Sequence, residues 1–315
     1  MIMEKEVLLV GTGKMARHYL AVLQALGITP TVIGRSEAGA ERFTAETGVH
    51  AHSGGVRQWK KRASVVPARA IIAVNPEELA NTASDCLRAG CTDILLEKPG
   101  ALFKRDLVSV GRLAKKTGSR VHIAYNRRYL ASVLEARSII EKDGGVTSFS
   151  FTFTERVTTK KTITDMGTSP IVISRWFIAN STHVVDLAFY LGGLPEQLQS
   201  FTAAGPVWTP HPSLFAGSGI TASGVPFSYF ANWELPGPWS IEVGTSKRKL
   251  ILAPLETLRQ EVKGIISDVP FDNALDTKFK PGLYRQVQSF LHGTSELPTL
   301  EEQIAKFDWY EKMLG

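Results

Sequence analysis

A lysine stands at the end of an apolar segment, where a purely structural strand would have little use for it. The segment DILLEKPG, residues 93–100, runs from apolar residues into Glu97, Lys98 and Pro99. Charged side chains are seldom fully buried without a partner, and proline does not continue a central strand. A partly buried amine has a lowered pKa and can serve as an acid–base group. Lys98 is therefore the first catalytic candidate.

A glycine pattern near the N-terminus predicts a dinucleotide site. The segment GTGKMA, residues 11–16, follows the first apolar run and opens the first helical pattern. In a G-x-G-x-x-G/A turn, Gly11 permits the tight turn, Gly13 lets the backbone approach a pyrophosphate, and Ala16 allows close packing of helix on strand. The helix N-terminus attracts the anion. Because the pattern stands between a strand and a helix, we expect it to bind a nucleotide.

The end of the second strand pattern favours NADP over NAD. An NAD site has an acidic residue about 20 residues after the turn, where it binds the ribose 2′-hydroxyl. Here Gly34 occupies that place, and Arg35 and Ser36 follow. An arginine and a hydroxyl can bind a 2′-phosphate that a carboxylate would repel. NADP is the predicted cofactor, with NAD as the alternative.

The hydrophobic pattern predicts two domains. Up to about residue 125, short apolar runs alternate with helical patterns, as in a parallel α/β sheet. After Asn126, period-two segments dominate, which indicates an open, largely antiparallel sheet with one solvated face. We expect a Rossmann domain at residues 1–125 and an α+β domain at residues 126–315, with the last helix packing back on the first domain. The uncovered sheet face predicts a homodimer or homotetramer.

Composition excludes several classes of partner. The 315 residues carry a net charge of +6 that is spread along the chain, so nucleic-acid binding is not expected. No apolar run approaches the ~20 residues that span a bilayer. The N-terminus lacks the features of a signal peptide, which predicts a cytoplasmic protein. Cys86 and Cys91 indicate neither a disulfide framework nor a metal site.

The motifs together resemble the glucose–fructose oxidoreductase/inositol dehydrogenase/rhizopine-catabolism (Gfo/Idh/MocA) family. GTGKMA, EKP at residues 97–99, AYNRRY at residues 124–129 and NSTHVVDLAFYLGG at residues 180–193 carry the resemblance. It implies a cis Lys98–Pro99 bond, Lys98 at the reacting carbon, and His183 beside the transferred hydrogen. The last segment is most similar to relatives linked to cell-surface sugar biosynthesis.

The resemblance completes the predicted site. Asn126 is expected by the cofactor, and one of Arg127 and Arg128 at an anionic substrate group. The predicted cofactor-binding residues are Gly11, Thr12, Gly13, Lys14, Met15, Arg35, Ser36, Val74, Asn75, Glu97, Lys98 and Asn126. The predicted catalytic residues are Lys98 and His183. The predicted substrate-binding residues are Arg128, Asn180 and Asp186.

One departure concerns the predicted histidine. Many members of the family place an aspartate four residues before it and a glycine two before it, whereas this chain has Ala179 and Ser181. The usual carboxylate partner of His183 is therefore missing from its own helix. Asn180 and Ser181 are the expected replacements, and Asp186 is expected to orient the imidazole or bind a sugar hydroxyl.

The predicted function is NAD(P)-dependent hydride transfer to or from a secondary hydroxyl or ketone of a sugar, cyclitol or nucleotide-linked sugar. Lys98 would exchange the hydroxyl proton, and His183 would share it. Two alternatives stay open at this point. One is a non-catalytic NAD(P)-binding sensor, which Ala179 favours and the intact Lys98 and His183 disfavour. The other is a reductase of an imine or a tetrapyrrole.

Overall fold

The chain folds into two compact units. The computed structural model describes residues 6–155, 167–204, 209, 211–293 and 296–315. The first unit comprises Met1–Tyr125 and Lys278–Ile304, and the second comprises Asn126–Thr277 and Ala305–Gly315. The chain thus returns to the first unit near its end and finishes in the second.

The first unit contains a six-stranded parallel sheet in the order β3-β2-β1-β4-β5-β6. Its strands are β1 (Val7–Val10), β2 (Thr31–Ile33), β3 (Ala51–His52), β4 (Arg69–Ile72), β5 (Asp93–Glu97) and β6 (Arg120–Ala124). The strand order reverses between β1 and β4, which pair in parallel with Val10 opposite Ile72. In open α/β sheets, ligands bind at such a reversal, beyond the carboxyl ends of the strands. This confirms the predicted α/β fold of the first domain.

Helices connect these strands and cover the sheet. They span Lys14–Ala25, Glu37–Thr47, Gly55–Lys60, Leu79–Ala89, Lys104–Thr117 and Leu283–His292. The helix Lys14–Ala25 buries Ala16, Tyr19, Leu20 and Leu23, a spacing of three and four residues that makes one apolar face. It ends at Ala25, and Gly27, two residues later, has a φ of 73° in the left-handed region. A short 3₁₀ helix, Pro76–Glu78, precedes Leu79–Ala89.

The sequence patterns did not reveal two short elements of this unit. Strand β3 has two residues, and the helix Gly55–Lys60 has six. Neither is long enough to show a period of two or of 3.6 residues. Their place in the fold matters nonetheless, because Arg57 of this helix borders the cleft described below.

The second unit is built on an eight-stranded sheet in the order β14-β13-β12-β11-β7-β10-β9-β8. Its strands are β7 (Ser148–Thr152), β8 (Pro195–Ala203), β9 (Leu214–Thr221), β10 (Pro226–Asn232), β11 (Ser240–Gly244), β12 (Lys249–Leu252), β13 (Arg259–Val262) and β14 (Ile265–Asp268). Only β7 and β10 pair in parallel among these strands, so the predicted largely antiparallel sheet is confirmed. The sheet also includes β13 and β14 at its edge.

Aromatic side chains fill the covered face of this sheet. Phe149 and Phe151 of β7 stack on Phe227 and Tyr229 of β10, with ring centroids 5.1 and 5.4 Å apart. Phe189, from the helix Thr182–Gly192, meets Phe151 edge-on at 5.8 Å. Offset and edge-to-face pairs of this kind add to the gain from burial. The opposite face exposes Phe201, Ile220 and Phe230. Oligomerisation through that face stays a prediction, which light scattering can test.

The helices of the second unit differ in one respect from the expectation. The sequence RRYLASVLEARSIIEKDGG, residues 127–145, predicts one long helix, whereas the structure has two elements, a 3₁₀ helix Asn126–Tyr129 and an α-helix Ala131–Asp143. A short helix, Pro170–Ser174, and a π-helical turn, Phe177–Ser181, lead into Thr182–Gly192. The remaining helices are Ala274–Lys278 and Leu300–Leu314. No helix in the described part of the chain is long and apolar enough to cross a membrane.

Candidate functional site

The turn between β1 and the first helix is set by a close backbone contact. Gly11 has a φ of 127°, and its N–H donates to the carbonyl of Ile33 at 2.8 Å. A Cβ at Gly11 would lie 2.2 Å from the carbonyl oxygen of Ala73. Both the backbone angle and this contact require glycine at position 11.

Gly13 is a glycine for a different reason. It is the N-cap of the helix Lys14–Ala25, with φ −83° and ψ −172°, values that any residue adopts. A Cβ at Gly13 would meet no protein atom within 4 Å, so neither packing nor backbone strain requires glycine. No side chain caps this helix end. The turn therefore presents backbone N–H groups and the positive end of a helix at an open position.

A cleft of about 410 Å³ contains much of the predicted cofactor site. The predicted residues that line it are Gly11, Thr12, Gly13, Arg35, Ser36, Val74 and Asn75. Lys14 is exposed on the helix and Met15 is half-buried, and neither lines this cleft. A larger cleft of about 1050 Å³ lies along β3 and contains none of the predicted site residues. The smaller cleft lies at the strand-order reversal, so we assign the site there.

Arg35 is paired across the cleft with an acidic residue that the sequence patterns did not indicate. Its guanidinium donates to Glu78 at 3.0 Å, and both side chains are exposed. Arg57 donates to Asp85 at 2.7 Å on the same cleft. The cleft thus holds two cations, each with a carboxylate close by. Nothing in the local sequence around Pro76 predicts that Glu78 reaches Arg35.

Gly34, just beyond the end of β2, packs closely against the glycine turn. A Cβ at this position would lie 2.9 Å from the Cγ2 atom of Thr12. A larger residue at position 34 would therefore require the Thr12 side chain to move. Ser36 acts as the N-cap of Glu37–Thr47, where its Oγ accepts from the N–H of Gly39 at 3.2 Å. This cap gives Ser36 a structural role in addition to the predicted one.

Lys98 lies just beyond the carboxyl end of β5 and is half-buried. The N–H of Gly100 donates to the carbonyl of Glu97 at 3.0 Å, which closes the turn, and the Lys98–Pro99 bond is cis as expected. The side-chain amide of Gln303 donates to the carbonyl of Pro99 at 3.0 Å. The carbonyls of Glu97 and Pro99, on either side of Lys98, are therefore both fixed by hydrogen bonds.

Glu97 takes part in a buried pair with the first helix. The hydroxyl of Tyr19 donates to its carboxylate at 2.7 Å. Burial raises the pKa of Glu97, although Tyr19, Lys98 and Lys280 oppose that shift. Burial, with a smaller effect of Glu97, raises the pKa of Tyr19 well above its usual value. These contacts fit a structural role for Glu97, and its predicted contact with the cofactor stays a prediction.

In the second unit, Asp186 is fully buried and bound by two cations. Arg128 donates to both of its carboxylate oxygens at 2.7 Å, and Lys306 of the final helix also binds it. The Arg128 guanidinium lies 4.4 Å from the ring centroid of Tyr190. Burial alone would raise the pKa of Asp186, but the two cations outweigh it and hold the pKa below its usual value. The structure brings two predicted substrate-binding residues together as partners of each other, which favours a structural role.

His183 is half-buried near the start of the helix Thr182–Gly192. Its ring centroid lies 5.8 Å from that of Trp239. The guanidinium of Arg127 lies 4.8 Å from the Trp239 ring and donates to Glu256 at 3.1 Å. Trp239 is thus shared between a predicted catalytic residue and a cation.

A carboxylate does reach the segment before His183, although it comes from another element. Glu155 is 3% exposed and accepts hydrogen bonds from Asn180 at 2.6 Å and from Ser181 at 2.7 Å. A signal for it exists in the sequence. Phe149, Phe151 and Phe153 are buried at a spacing of two, and Glu155 is the next residue in that register. Asn126, the first residue of the second unit, is also buried.

Comparison with known proteins supports the assignment of the first domain. Residues 5–125 match the GFO_IDH_MocA family model, described as an oxidoreductase family with an NAD-binding Rossmann fold. No curated protein matches the chain.

Solved structures match over nearly the whole chain. A putative NADPH-dependent oxidoreductase from Desulfitobacterium hafniense has 17% identity and a TM-score of 0.79, covering 98% of this chain and 94% of its own. UDP-N-acetylglucosamine 3-dehydrogenase from Acidithiobacillus ferrooxidans has 16% identity and a TM-score of 0.76, covering 98% and 96%. An oxidoreductase from Agrobacterium radiobacter, in complex with NAD⁺, L-tartaric acid and magnesium, has 11% identity and a TM-score of 0.80, covering 97% and 94%. At these identities the likeness shows the fold.

The buried ion pair generates a stability prediction. Asp186→Asn leaves Arg128 and Lys306 buried without their counter-charge, and we expect a loss of about 3–5 kcal/mol in the free energy of unfolding at pH 7. The pKa of Asp186 is depressed in the folded state, so its contribution is present above the unfolded pKa and is lost as pH falls through the folded pKa. The difference between variant and wild type should therefore shrink in acid.

Urea denaturation followed by tryptophan fluorescence measures this difference. Asp268→Asn, on the exposed strand β14, is the matched control and should change stability by less than about 0.5 kcal/mol. An Asp186→Asn variant as stable as that control at pH 7 would show that the pair contributes little.

Proposed function

We propose that this chain transfers a hydride between NADP or NAD and a secondary hydroxyl or ketone of a sugar-like small molecule. Its residues 5–125 match the GFO_IDH_MocA model of oxidoreductases with an NAD-binding Rossmann fold. The observation that carries the proposal is the position of Lys98. It follows β5, which is separated from β1 and its glycine turn by β4 alone. Two strand spacings amount to about 10 Å, which is within the length of a bound dinucleotide.

The glycine turn supports the cofactor assignment. Packing does not require glycine at position 13, whereas the close approach of a pyrophosphate does. Val74 and Asn75, which follow β4, also line this cleft. A dinucleotide whose pyrophosphate binds at the helix N-terminus would direct its nicotinamide toward the neighbouring strand end, where Lys98 lies. The cofactor then supplies the hydride chemistry, and the protein supplies the proton chemistry.

Lys98 suits the role of acid–base group. Oxidation of an alcohol needs a group that accepts the hydroxyl proton as the hydride leaves, and reduction needs the same group to donate it. A cationic amine also polarises a carbonyl and lowers the pKa of an alcohol that it contacts. Hydrogen bonds to the carbonyls of Glu97 and Pro99 limit the movement of the loop that carries Lys98.

His183 of the second unit is assigned the second proton-exchanging role. It is half-buried and adjoins Trp239, a flat apolar surface of the kind that sugar rings contact. The sugar-like class of substrate is a proposal. It is supported by the name of the related Acidithiobacillus ferrooxidans structure, a UDP-N-acetylglucosamine 3-dehydrogenase.

Preference for NADP over NAD is also a proposal, and it rests on Arg35. The side chain lies on the cleft wall and is exposed, with Glu78 as its present partner. A 2′-phosphate carries more charge than a carboxylate and would compete for the guanidinium. Glu78 would also repel that phosphate. We therefore expect a weaker preference for NADP over NAD than Arg35 alone would give.

The role of Lys98 is tested by Lys98→Met, which keeps the length of the side chain and removes its amine. Turnover should fall about 10²–10⁴-fold, the usual loss for a positioned acid–base group. Binding of the reduced cofactor should stay unchanged. The assay follows reduced nicotinamide by absorbance over a panel of free hexoses, inositols and nucleotide sugars.

Lys116→Met, at an exposed position in the same unit, is the matched control and should retain full turnover. Nearly full turnover in Lys98→Met would exclude Lys98 as the acid–base group. Wild-type protein that binds the cofactor yet turns over no compound of the panel would contradict the proposed substrate class.

The cofactor preference is tested by a pair of variants at the cleft. Arg35→Ala should lower the affinity for NADPH about 10-fold, the low end expected for an arginine–phosphate contact because the side chain is exposed. It should leave NADH binding unchanged. Glu78→Gln should raise NADPH affinity about 3-fold by removing a like charge. Fluorescence titration measures all affinities, with the exposed Arg42→Ala as control. Equal loss of NADPH and NADH binding in Arg35→Ala would refute the phosphate contact.

A further inference from the structure

A second ion pair of the cofactor cleft joins the helices Gly55–Lys60 and Leu79–Ala89. The Nε of Arg57 donates to Oδ1 of Asp85 at 2.7 Å, and both residues line the cleft of about 410 Å³ that contains the glycine turn. The sequence patterns indicated neither residue. Exposed ion pairs contribute little to stability, so stability alone does not explain why this pair lies on the cleft wall.

The strand order places the helix of Arg57 on the side of the cleft opposite to Lys98. The glycine turn follows β1, and the sheet continues from β1 to β2 and β3 on one side and to β4 and β5 on the other. Arg35 follows β2, and the helix Gly55–Lys60 follows β3. The N–H of Gly54 donates to the carbonyl of Arg35 at 3.1 Å. The helix of Arg57 therefore begins beside Arg35, on its β3 side.

The order of groups along a dinucleotide matches this order of strands. A dinucleotide with its pyrophosphate at the glycine turn and its nicotinamide toward β5 extends its adenosine toward β2 and β3. Counted from the pyrophosphate, the ribose comes first and the adenine second. Two strand spacings amount to about 10 Å, a distance that a ribose and its base span. Arg35 is thus placed for the ribose and its phosphate, and Arg57 and Asp85 for the base.

Both members of the pair keep polar atoms available on the cleft wall. Asp85 binds the Nε of Arg57, and the two terminal nitrogens of Arg57 have no hydrogen-bond partner in the described part of the chain. On Asp85, Oδ1 accepts this bond and lies 3.6 Å from Arg88, whereas Oδ2 accepts no hydrogen bond from a described residue. The side chain of Arg57 is 74% exposed and that of Asp85 is 18% exposed. A donor and an acceptor therefore lie side by side within reach of a ligand.

Adenine presents the complementary pair of groups. The edge that carries its exocyclic amine has a donor at N6 next to an acceptor at N7. A carboxylate oxygen can accept from N6, and a guanidinium N–H can donate to N7. Guanine and hypoxanthine have a carbonyl in place of that amine, so an acceptor would face the carboxylate of Asp85. The pair thus favours adenine over a 6-oxopurine.

We infer that Arg57 and Asp85 form the adenine-recognition pair of the proposed cofactor site, in which Asp85 accepts from the exocyclic amine and Arg57 donates to N7. The inference rests on the proposed function, because it needs a dinucleotide at the glycine turn. It gives the two arginines of the cleft different tasks. Arg35 binds the 2′-phosphate, which NADP alone carries, whereas Arg57 contacts the base that NADP and NAD share.

Fluorescence titration of the full chain with three reduced dinucleotides tests the inference. These are NADH, NADPH and reduced nicotinamide hypoxanthine dinucleotide, which differs from NADH by a carbonyl in place of the exocyclic amine. The wild type should bind NADH about 10-fold more tightly than the hypoxanthine dinucleotide. Asp85→Asn should abolish most of this difference, because an amide can also donate to the carbonyl. Arg57→Ala should lower the affinities for NADH and NADPH by the same factor, about 5-fold.

The exposed Arg42→Ala and Asp268→Asn are the matched controls and should leave all three affinities unchanged. Equal affinity of the wild type for NADH and the hypoxanthine dinucleotide would overturn the inference without the need for any variant. Loss of NADPH binding alone in Arg57→Ala would overturn it too, because Arg57 would then contact the phosphate.

The same titrations separate the inference from the proposed function. A wild type that binds no dinucleotide would contradict both. A wild type that prefers NADH to the hypoxanthine dinucleotide, and loses this preference in Asp85→Asn, would support the inference even if no substrate turned over. The proposed function alone would then be contradicted.

Discussion

The first unit depends on one close contact, between the backbone of Gly11 and the carbonyl of Ala73. The turn after β1 passes so near the end of β4 that a Cβ at position 11 would lie 2.2 Å from that oxygen. Because the turn lies this close to the sheet, the first helix begins directly above the point where the strand order reverses. Its N-terminal N–H groups then border the cleft that Arg35, Val74 and Asn75 also line. Thr12 lies against Gly34 as a result, with its Cγ2 atom 2.9 Å from where a Cβ at position 34 would stand.

The second unit is organised by the register of β7. Phe149 and Phe151 face the helix Thr182–Gly192, and Phe153 packs on Phe177 of the π-helical turn before it. The same alternation brings Glu155 to that turn. The apolar contacts of the phenylalanines and the hydrogen bonds of Glu155 therefore both follow from the register of this one segment. The Asp186 ion pair attaches the final helix to the same unit through Lys306. Two buried carboxylates thus fix the helix of His183. Glu155 binds the turn that precedes the helix, and Asp186 lies on the helix itself.

The sequence predicted those parts of the structure that depend on residues close together in the chain. The glycine turn, the parallel order of the first domain and the alternating strands of the second follow from apolar periodicity and turn residues. Short or polar elements were missed, because β3 and the helix Gly55–Lys60 have too few residues for a period and β14 is exposed throughout. The glycines of strand β9 interrupt its apolar alternation, and a Cβ at one of them, Gly217, would lie 2.3 Å from the hydroxyl oxygen of Tyr229.

Long-range pairs were beyond sequence reasoning for a different reason. Arg128 and Lys306 reach Asp186 from 58 and 120 residues away, and Arg35 reaches Glu78 from 43 residues away. No local pattern encodes such pairs, since each depends on how the elements pack. This is why the sequence predicted Arg128 and Asp186 as separate substrate contacts, whereas the structure joins them.

Binding of NADPH to the wild-type chain and to Gly13→Glu tests the account most directly. The backbone angles at Gly13 suit any residue and a side chain there meets no protein atom, so the variant should fold as the wild type does. Its carboxylate would stand where the pyrophosphate is expected, and like charges in contact cost several kcal/mol. Calorimetric titration should give one NADPH site in the wild type and an affinity at least roughly 100-fold weaker in the variant. A folded Gly13→Glu protein that binds NADPH as tightly as the wild type would contradict the account.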